Sequence, residues 1–124
     1  MITITMNTKR LKLTVKGHAL PEESEGETDY IAICNMVAAL AQGMAYAVTR
    51  YNNGDGTMKS IEYRPDPGDL MLKVFPETWA EREFMHIFNI YAEGIQLLAE
   101  SHPQSVTFIR DGERIIAKEE TEHE

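Results

Sequence analysis

Hydrophobic and polar residues alternate in two short segments at the start of the chain. Residues 2–6 alternate in this way, and residues 10–16 place Leu11, Leu13 and Val15 on one face. An alternation with a period of two residues is typical of strands that bury one face. Three polar residues between the segments indicate a turn. The pattern therefore predicts a β-hairpin with one buried face.

Two longer segments, residues 30–50 and 77–101, carry apolar residues at helical spacing. The first has an apolar stripe of Ile33, Val37, Leu40, Met44 and Val48, and the second one of Phe84, Ile87, Phe88, Tyr91, Ile95 and Leu98. Both segments are therefore predicted to be helices. Only a narrow polar stripe interrupts the first segment, so we expect a central helix that is covered on most sides.

Turn-forming residues separate the remaining apolar segments. Residues 58–64 and 70–75 are predicted strands joined by a tight turn at Pro65–Gly68, and the Asp111-Gly112 pair predicts a terminal hairpin. The predicted order is ββ-α-ββ-α-β(β). Two long helices against a mostly antiparallel sheet make a two-layer α+β sandwich.

The composition indicates one ordinary globular domain. The chain has 124 residues, 43% of them hydrophobic and 26% charged. We expect a single α+β domain over residues 1–117 and a disordered acidic tail over residues 118–124. We see no signal peptide and no charge-free stretch of the roughly 20 residues that a membrane span needs. A single cysteine excludes an intramolecular disulfide framework, which suits a cytoplasmic protein.

The net charge of −8 argues against binding to a nucleic-acid backbone, which requires a basic patch. It permits a basic protein or peptide as a partner. The sequence contains no zinc-ligand spacing and no phosphate-binding glycine loop. We therefore expect neither a metal nor another cofactor.

Cys34 and His18 are the candidate chemical groups. Cys34 lies about one turn into the first predicted helix, where the helix dipole favours a thiolate, and His18 ends the preceding strand segment. Together they are the minimum for a cysteine nucleophile and its base. The alternative is that Cys34 is an inert core residue. Asp29 is either a third member that orients His18 or a helix cap, and backbone N–H groups from Gly26 to Asp29 are candidates for an oxyanion site.

Two motifs carry a resemblance to a known family. They are Gly17-His18-Ala19, followed by a glycine-containing loop, and Ile33-Cys34-Asn35-Met36-Val37-Ala38-Ala39-Leu40. Together they resemble the ribosomal-processing cysteine protease family. The resemblance implies that Cys34 is the nucleophile and His18 its partner. It also implies a cytoplasmic homodimer that removes an N-terminal extension, ending in a hydrophobic-aromatic motif, from a ribosomal large-subunit protein.

The sequence departs from the family pattern beside the cysteine. The family aspartate three residues before the cysteine is Ile31 here, and the nearest acid is Asp29. Asp29 is about 500° of helix turn away and does not share the face of Cys34. Asn35 and Met36 replace small residues. A divergent branch that acts on another protein, such as a phage structural protein, and a non-catalytic interaction module that kept the fold are therefore the alternatives.

Overall fold

The structure, a computed structural model, describes residues 1–18, 30–52 and 56–116. These residues form six strands and two long helices in the predicted order, with a single turn of 3₁₀ helix (Thr78–Ala80) before the second helix. The elements are β1 (Ile2–Asn7), β2 (Lys12–Lys16), α1 (Tyr30–Asn52), β3 (Met58–Asp66), β4 (Asp69–Pro76), α2 (Glu81–Ser101), β5 (Val106–Arg110) and β6 (Glu113–Ile115). The predicted α+β class is confirmed. The tail over residues 118–124 lies outside the described residues.

The six strands form one sheet in the order β3-β4-β2-β1-β5-β6. All neighbouring strands are antiparallel except β1 and β5, which are parallel. A parallel pair needs a long crossover connection, and α2 provides the last part of it. The predicted hairpins β1–β2, β3–β4 and β5–β6 are all present.

Both helices pack on the same face of the sheet. Alternate strand residues on this face are buried, namely Ile2, Ile4, Met6, Leu13, Val15, Leu70, Leu72, Val74, Val106 and Phe108. Phe84 and Phe88 of α2 are fully buried in the same core, and the ring of Phe84 meets that of Tyr51 edge-on at 5.1 Å. Threonine and lysine side chains occupy much of the opposite face of β1 and β2. The predicted two-layer sandwich is therefore confirmed.

The expectation that α1 is covered on most sides is wrong. One stripe of this helix is buried, whereas Ile31, Met36 and Tyr46 are 58%, 40% and 63% exposed. The sheet lies beneath the helix and α2 lies on one flank, and the outer side of the helix carries these exposed residues. By length and composition, residues 30–51 are the one membrane-span candidate in the described part of the chain. The buried stripe of α1 packs into the core of a soluble α+β domain.

We predict that stability depends strongly on Phe88 and little on Ile90. Phe88→Ala would leave a cavity in the core, so the free energy of unfolding should fall by about 3–5 kcal/mol. Ile90 lies on the same helix but is 56% exposed, and Ile90→Ala should change that free energy by about 0.5 kcal/mol or less. Urea unfolding measures both values. Equal losses for the two variants would contradict this description of the core.

Candidate active site

His18 lies directly beyond the end of β2, where Gly17 turns the chain. Gly17 has a φ of +89°, and a Cβ at this position would overlap the carbonyl oxygen of Met1. The Gly17 N–H donates a hydrogen bond of 2.9 Å to the carbonyl of Gly68, and the nitrogen of Met1 donates one of 2.7 Å to the carbonyl of His18. The backbone at His18 is thus held between the start of β1 and the β3–β4 turn, while its side chain is exposed.

Cys34 lies in the second turn of α1, on the side of the helix that faces the sheet. It is half-buried and packs against the core beside the buried Ile33 and Val37. The thiol-bearing residue is therefore partly accessible to solvent.

The side chains of His18 and Cys34 line the same open cavity. It has a volume of about 230 Å³ and lies between the end of β2, the β3–β4 turn and the first half of α1. The cavity is lined by Ile2, Val15, Gly17, His18, Cys34, Asn35, Val37, Ala38, Ala41, Gln42, Pro65, Asp66, Pro67, Gly68 and Leu70. No hydrogen bond joins the thiol to the imidazole in the described part of the chain. In proteins that use such a pair, contacts of this kind commonly tighten only once a ligand is bound.

The other residues singled out from the sequence have different outcomes. Asp29 and Gly26, with the rest of residues 19–29, lie outside the described residues. Ile31, which lies three residues before Cys34, is exposed. Asn35 lines the cavity, whereas Met36 lines a separate groove between α1 and α2. The bulk of Met36 therefore does not obstruct the cavity beside Cys34.

The β3–β4 turn is the part of the site that sequence reasoning missed. Residues 65–68 were predicted only as a tight turn, yet all four line the cavity with His18 and Cys34. Among them, Asp66 brings a carboxylate, 64% exposed and 4.0 Å from Nε of Arg64. No local sequence signal could have found this wall, because it depends on the pairing of β4 with β2, which joins segments more than 50 residues apart.

An ion pair between β2 and β4 stabilises the contact between the end of β2 and the β3–β4 turn. Lys16 Nζ lies 3.1 Å from a carboxylate oxygen of Asp69, and Nη2 of Arg64 lies 3.3 Å from the same oxygen. Lys16 and Asp69 are partners in the β2–β4 register. The hydrogen bond from Lys16, assisted by Arg64, holds the pKa of Asp69 below its ordinary value. This pair therefore joins the residue before Gly17 to the residue after Gly68.

We predict that Lys16→Gln raises the pKa of Asp69 towards its ordinary value of 3.8, because a shorter, neutral amide replaces the charged hydrogen-bond donor of Lys16. A folded-state pKa below the unfolded one contributes stability at neutral pH that is lost as the pH falls through the folded value. The variant should therefore show a smaller loss of stability on acidification. NMR titration of the Asp69 carboxyl measures the shift. Lys12→Gln, on the same strand opposite Lys73, is the control, and an equal shift there would contradict the assignment.

The described residues contain no group of three or more His, Cys, Asp and Glu side chains that could hold a metal ion. No family model matches the chain, and no curated protein matches it. The chain is similar to the crystal structure of SMU.848 from Streptococcus mutans, with a TM-score of 0.58 and 20% sequence identity. The match covers 95% of this chain and 93% of that one. At this identity, the similarity shows a shared fold alone.

Proposed function

We propose that this protein is a cysteine endopeptidase in which Cys34 is the nucleophile and His18 its base and acid. The observation that carries the proposal is that these two side chains, from different elements, line one cavity. The half-buried, open position of Cys34 also supports it, because an inert structural cysteine is typically enclosed. The resemblance to the ribosomal-processing cysteine protease family points to the same pair.

The proposed reaction has two halves. In the first, Cys34 Sγ attacks the carbonyl carbon of the scissile peptide bond while His18 accepts the thiol proton. The tetrahedral intermediate then expels the amine, which takes that proton from His18, and a thioester to Cys34 remains. In the second half, His18 accepts a proton from water as the water attacks the thioester. The second product leaves as a carboxylic acid, and the thiol is restored.

The walls of the cavity favour an apolar side chain next to the scissile bond. Val37, Ala41 and Leu70 are among the apolar lining residues, and about 230 Å³ exceeds the roughly 150 Å³ that accommodates a benzene ring. The family resemblance suggests the N-terminal extension of a ribosomal large-subunit protein as substrate, in the cytoplasm. The net charge of −8 suits a basic protein of this kind.

Two alternatives retain the same fold. One is a divergent protease that acts on a phage structural protein, and the other is a non-catalytic module that binds a protein partner. The replacement of the family aspartate by Ile31 is the observation that favours the second. The reactivity of the thiol separates a protease from an inert module, whichever protein is the natural substrate.

We predict that the full-length protein cleaves a peptide spanning the ribosomal-protein extension, measured by mass spectrometry. Cys34→Ala should abolish cleavage, since it removes the nucleophile. His18→Asn should lower kcat by about 100- to 10,000-fold, the usual contribution of a general acid and base. His86→Asn is the matched control, because His86 is exposed on α2 and does not line the cavity. Cleavage that survives Cys34→Ala would sink the proposal.

The rate of alkylation of Cys34 by iodoacetamide separates the alternatives if this peptide is not cleaved. In an active protease, the wild type should keep reacting at pH values where glutathione has become slow, and His18→Asn should remove that advantage. An unreactive thiol, or one whose rate does not depend on His18, would contradict the protease and favour the non-catalytic module.

We also propose that the protein is a homodimer that buries the outer face of its helices. Met36 and Leu97 are 40% and 66% exposed and line a groove of about 430 Å³ between α1 and α2. A second copy of the chain would cover the same patch by two-fold symmetry.

Sedimentation tests the dimer. We predict that the wild type sediments at twice the chain mass and that Leu97→Glu sediments as a monomer, because a charge in the apolar contact is costly. Ile116→Glu is the control, since Ile116 is 75% exposed but does not line this groove. A wild type that sediments as a monomer at high concentration would overturn the proposal.

A further inference from the structure

The imidazole of His18 packs directly against the backbone of Gly68. A Cβ added to Gly68 would lie 3.0 Å from Cε1 and 3.1 Å from Cδ2 of the ring, and closer still to Nε2. Separations below 3.0 Å are essentially never adopted by a real Cβ. A residue other than glycine at position 68 would therefore displace the ring, the turn or both.

The backbone on both sides of this contact is also fixed. The Gly17 N–H binds the Gly68 carbonyl at 2.9 Å, one residue before the histidine. Lys16 and Asp69 are the adjacent pair in the β2–β4 register, and Lys16 Nζ lies 3.1 Å from the Asp69 carboxylate. The end of β2 and the β3–β4 turn are thus joined at successive residues, and the His18 ring lies beside this junction.

The backbone conformation of the turn also favours glycine at position 68. Gly68 has a φ of +74°, which L side chains rarely adopt, and it follows Pro67, whose ring restricts its own φ. An exposed histidine at a strand end would otherwise sample several side-chain rotamers. Contact with Gly68 instead holds the ring in the wall of the cavity that contains Cys34.

We propose that Gly68 is a positioning residue, which sets the orientation of the His18 imidazole towards the cavity of Cys34. The role rests on the proposed function insofar as it concerns catalysis, but the placement of the ring can be measured without any substrate. The absence of a Cβ admits the ring, and contact with the turn limits the orientations that the ring can adopt. Gly68 itself contributes no group to the reaction.

The test compares two glycines with similar backbones in the full-length protein. Gly112 follows Asp111 in the β5–β6 turn with a φ of +88°, and a Cβ added there meets none of the described atoms within 4 Å. Gly68→Ala and Gly112→Ala introduce similar backbone strain, but only the first clashes with His18. Gly68→Asn separates strain from clash, because asparagine tolerates a positive φ yet still carries a Cβ.

The first readout is the NMR cross-relaxation between the Gly68 α protons and the His18 ring protons. We expect this signal in the wild type and in Gly112→Ala. In Gly68→Ala and Gly68→Asn the signals of the His18 ring should shift and lose their contact with residue 68. A ring that has no contact with Gly68 in the wild type, or whose signals are unchanged in both Gly68 variants, would overturn the proposal.

The second readout is the kinetics of peptide cleavage. Misplacing a catalytic group by about 1 Å can cost about 100-fold, so Gly68→Asn should lower kcat by that order with little change in KM. Gly112→Ala should keep the wild-type kcat. Equal loss in both would show that turn strain alone is responsible and would overturn the role of Gly68. If the wild type does not cleave the peptide, the alkylation of Cys34 tests the proposed function, and the NMR readout alone decides the positioning of His18.

Discussion

Burial of one face of the sheet beneath two helices is the constraint on which the rest of this structure depends. Strand residues with a period of two and helix residues with a period near 3.6 meet in one core that contains Phe84, Phe88 and Phe108. Because the apolar residues of all the inner strands lie on the same face, both helices must lie on that side. The N-terminal half of α1 is then held over the end of β2. Cys34 and His18, which are 16 residues apart in the sequence, come together there.

The cavity between Cys34 and His18 exists because the sheet extends beyond the part that the helices cover. The helix layer covers Val15 and Leu70, but the chain continues past them into Gly17, His18 and the β3–β4 turn. Pairing of β4 with β2 brings that turn to the end of β2. The result is an open cavity with an apolar floor and a rim of polar groups. A chemical group held there is partly shielded from water, which strengthens its electrostatic interactions.

Much of this arrangement could be predicted from the sequence because it depends on local patterns. Periodicity indicated both helices and the leading hairpin, and the Pro67-Gly68 and Asp111-Gly112 pairs indicated turns that the structure contains. The parallel pairing of β1 with β5, and with it the strand order, could not be predicted, because strand pairing is non-local and leaves no periodic signal.

The candidate site could likewise be predicted only where it depends on local sequence. His18 and Cys34 were identified from residue types and from a resemblance, and the structure places both in one cavity. The β3–β4 turn, including Asp66 and Gly68, was not assigned to the site, because its approach depends on the β2–β4 register. The prediction that α1 is covered on most sides failed because composition shows that a helix is apolar, but not how many neighbours one chain provides for it.

The central claim is that His18 and Cys34 act together on a peptide held in their shared cavity. The most direct measurement is a crystal structure of the full-length protein after reaction with a peptidyl chloromethyl ketone that carries an apolar terminal side chain. The account predicts a thioether at Cys34 Sγ, the apolar side chain against Val37 and Leu70, and the His18 ring on Gly68 with a nitrogen facing the modified residue. Modification elsewhere, or a peptide lying outside the cavity with His18 turned into solvent, would contradict it.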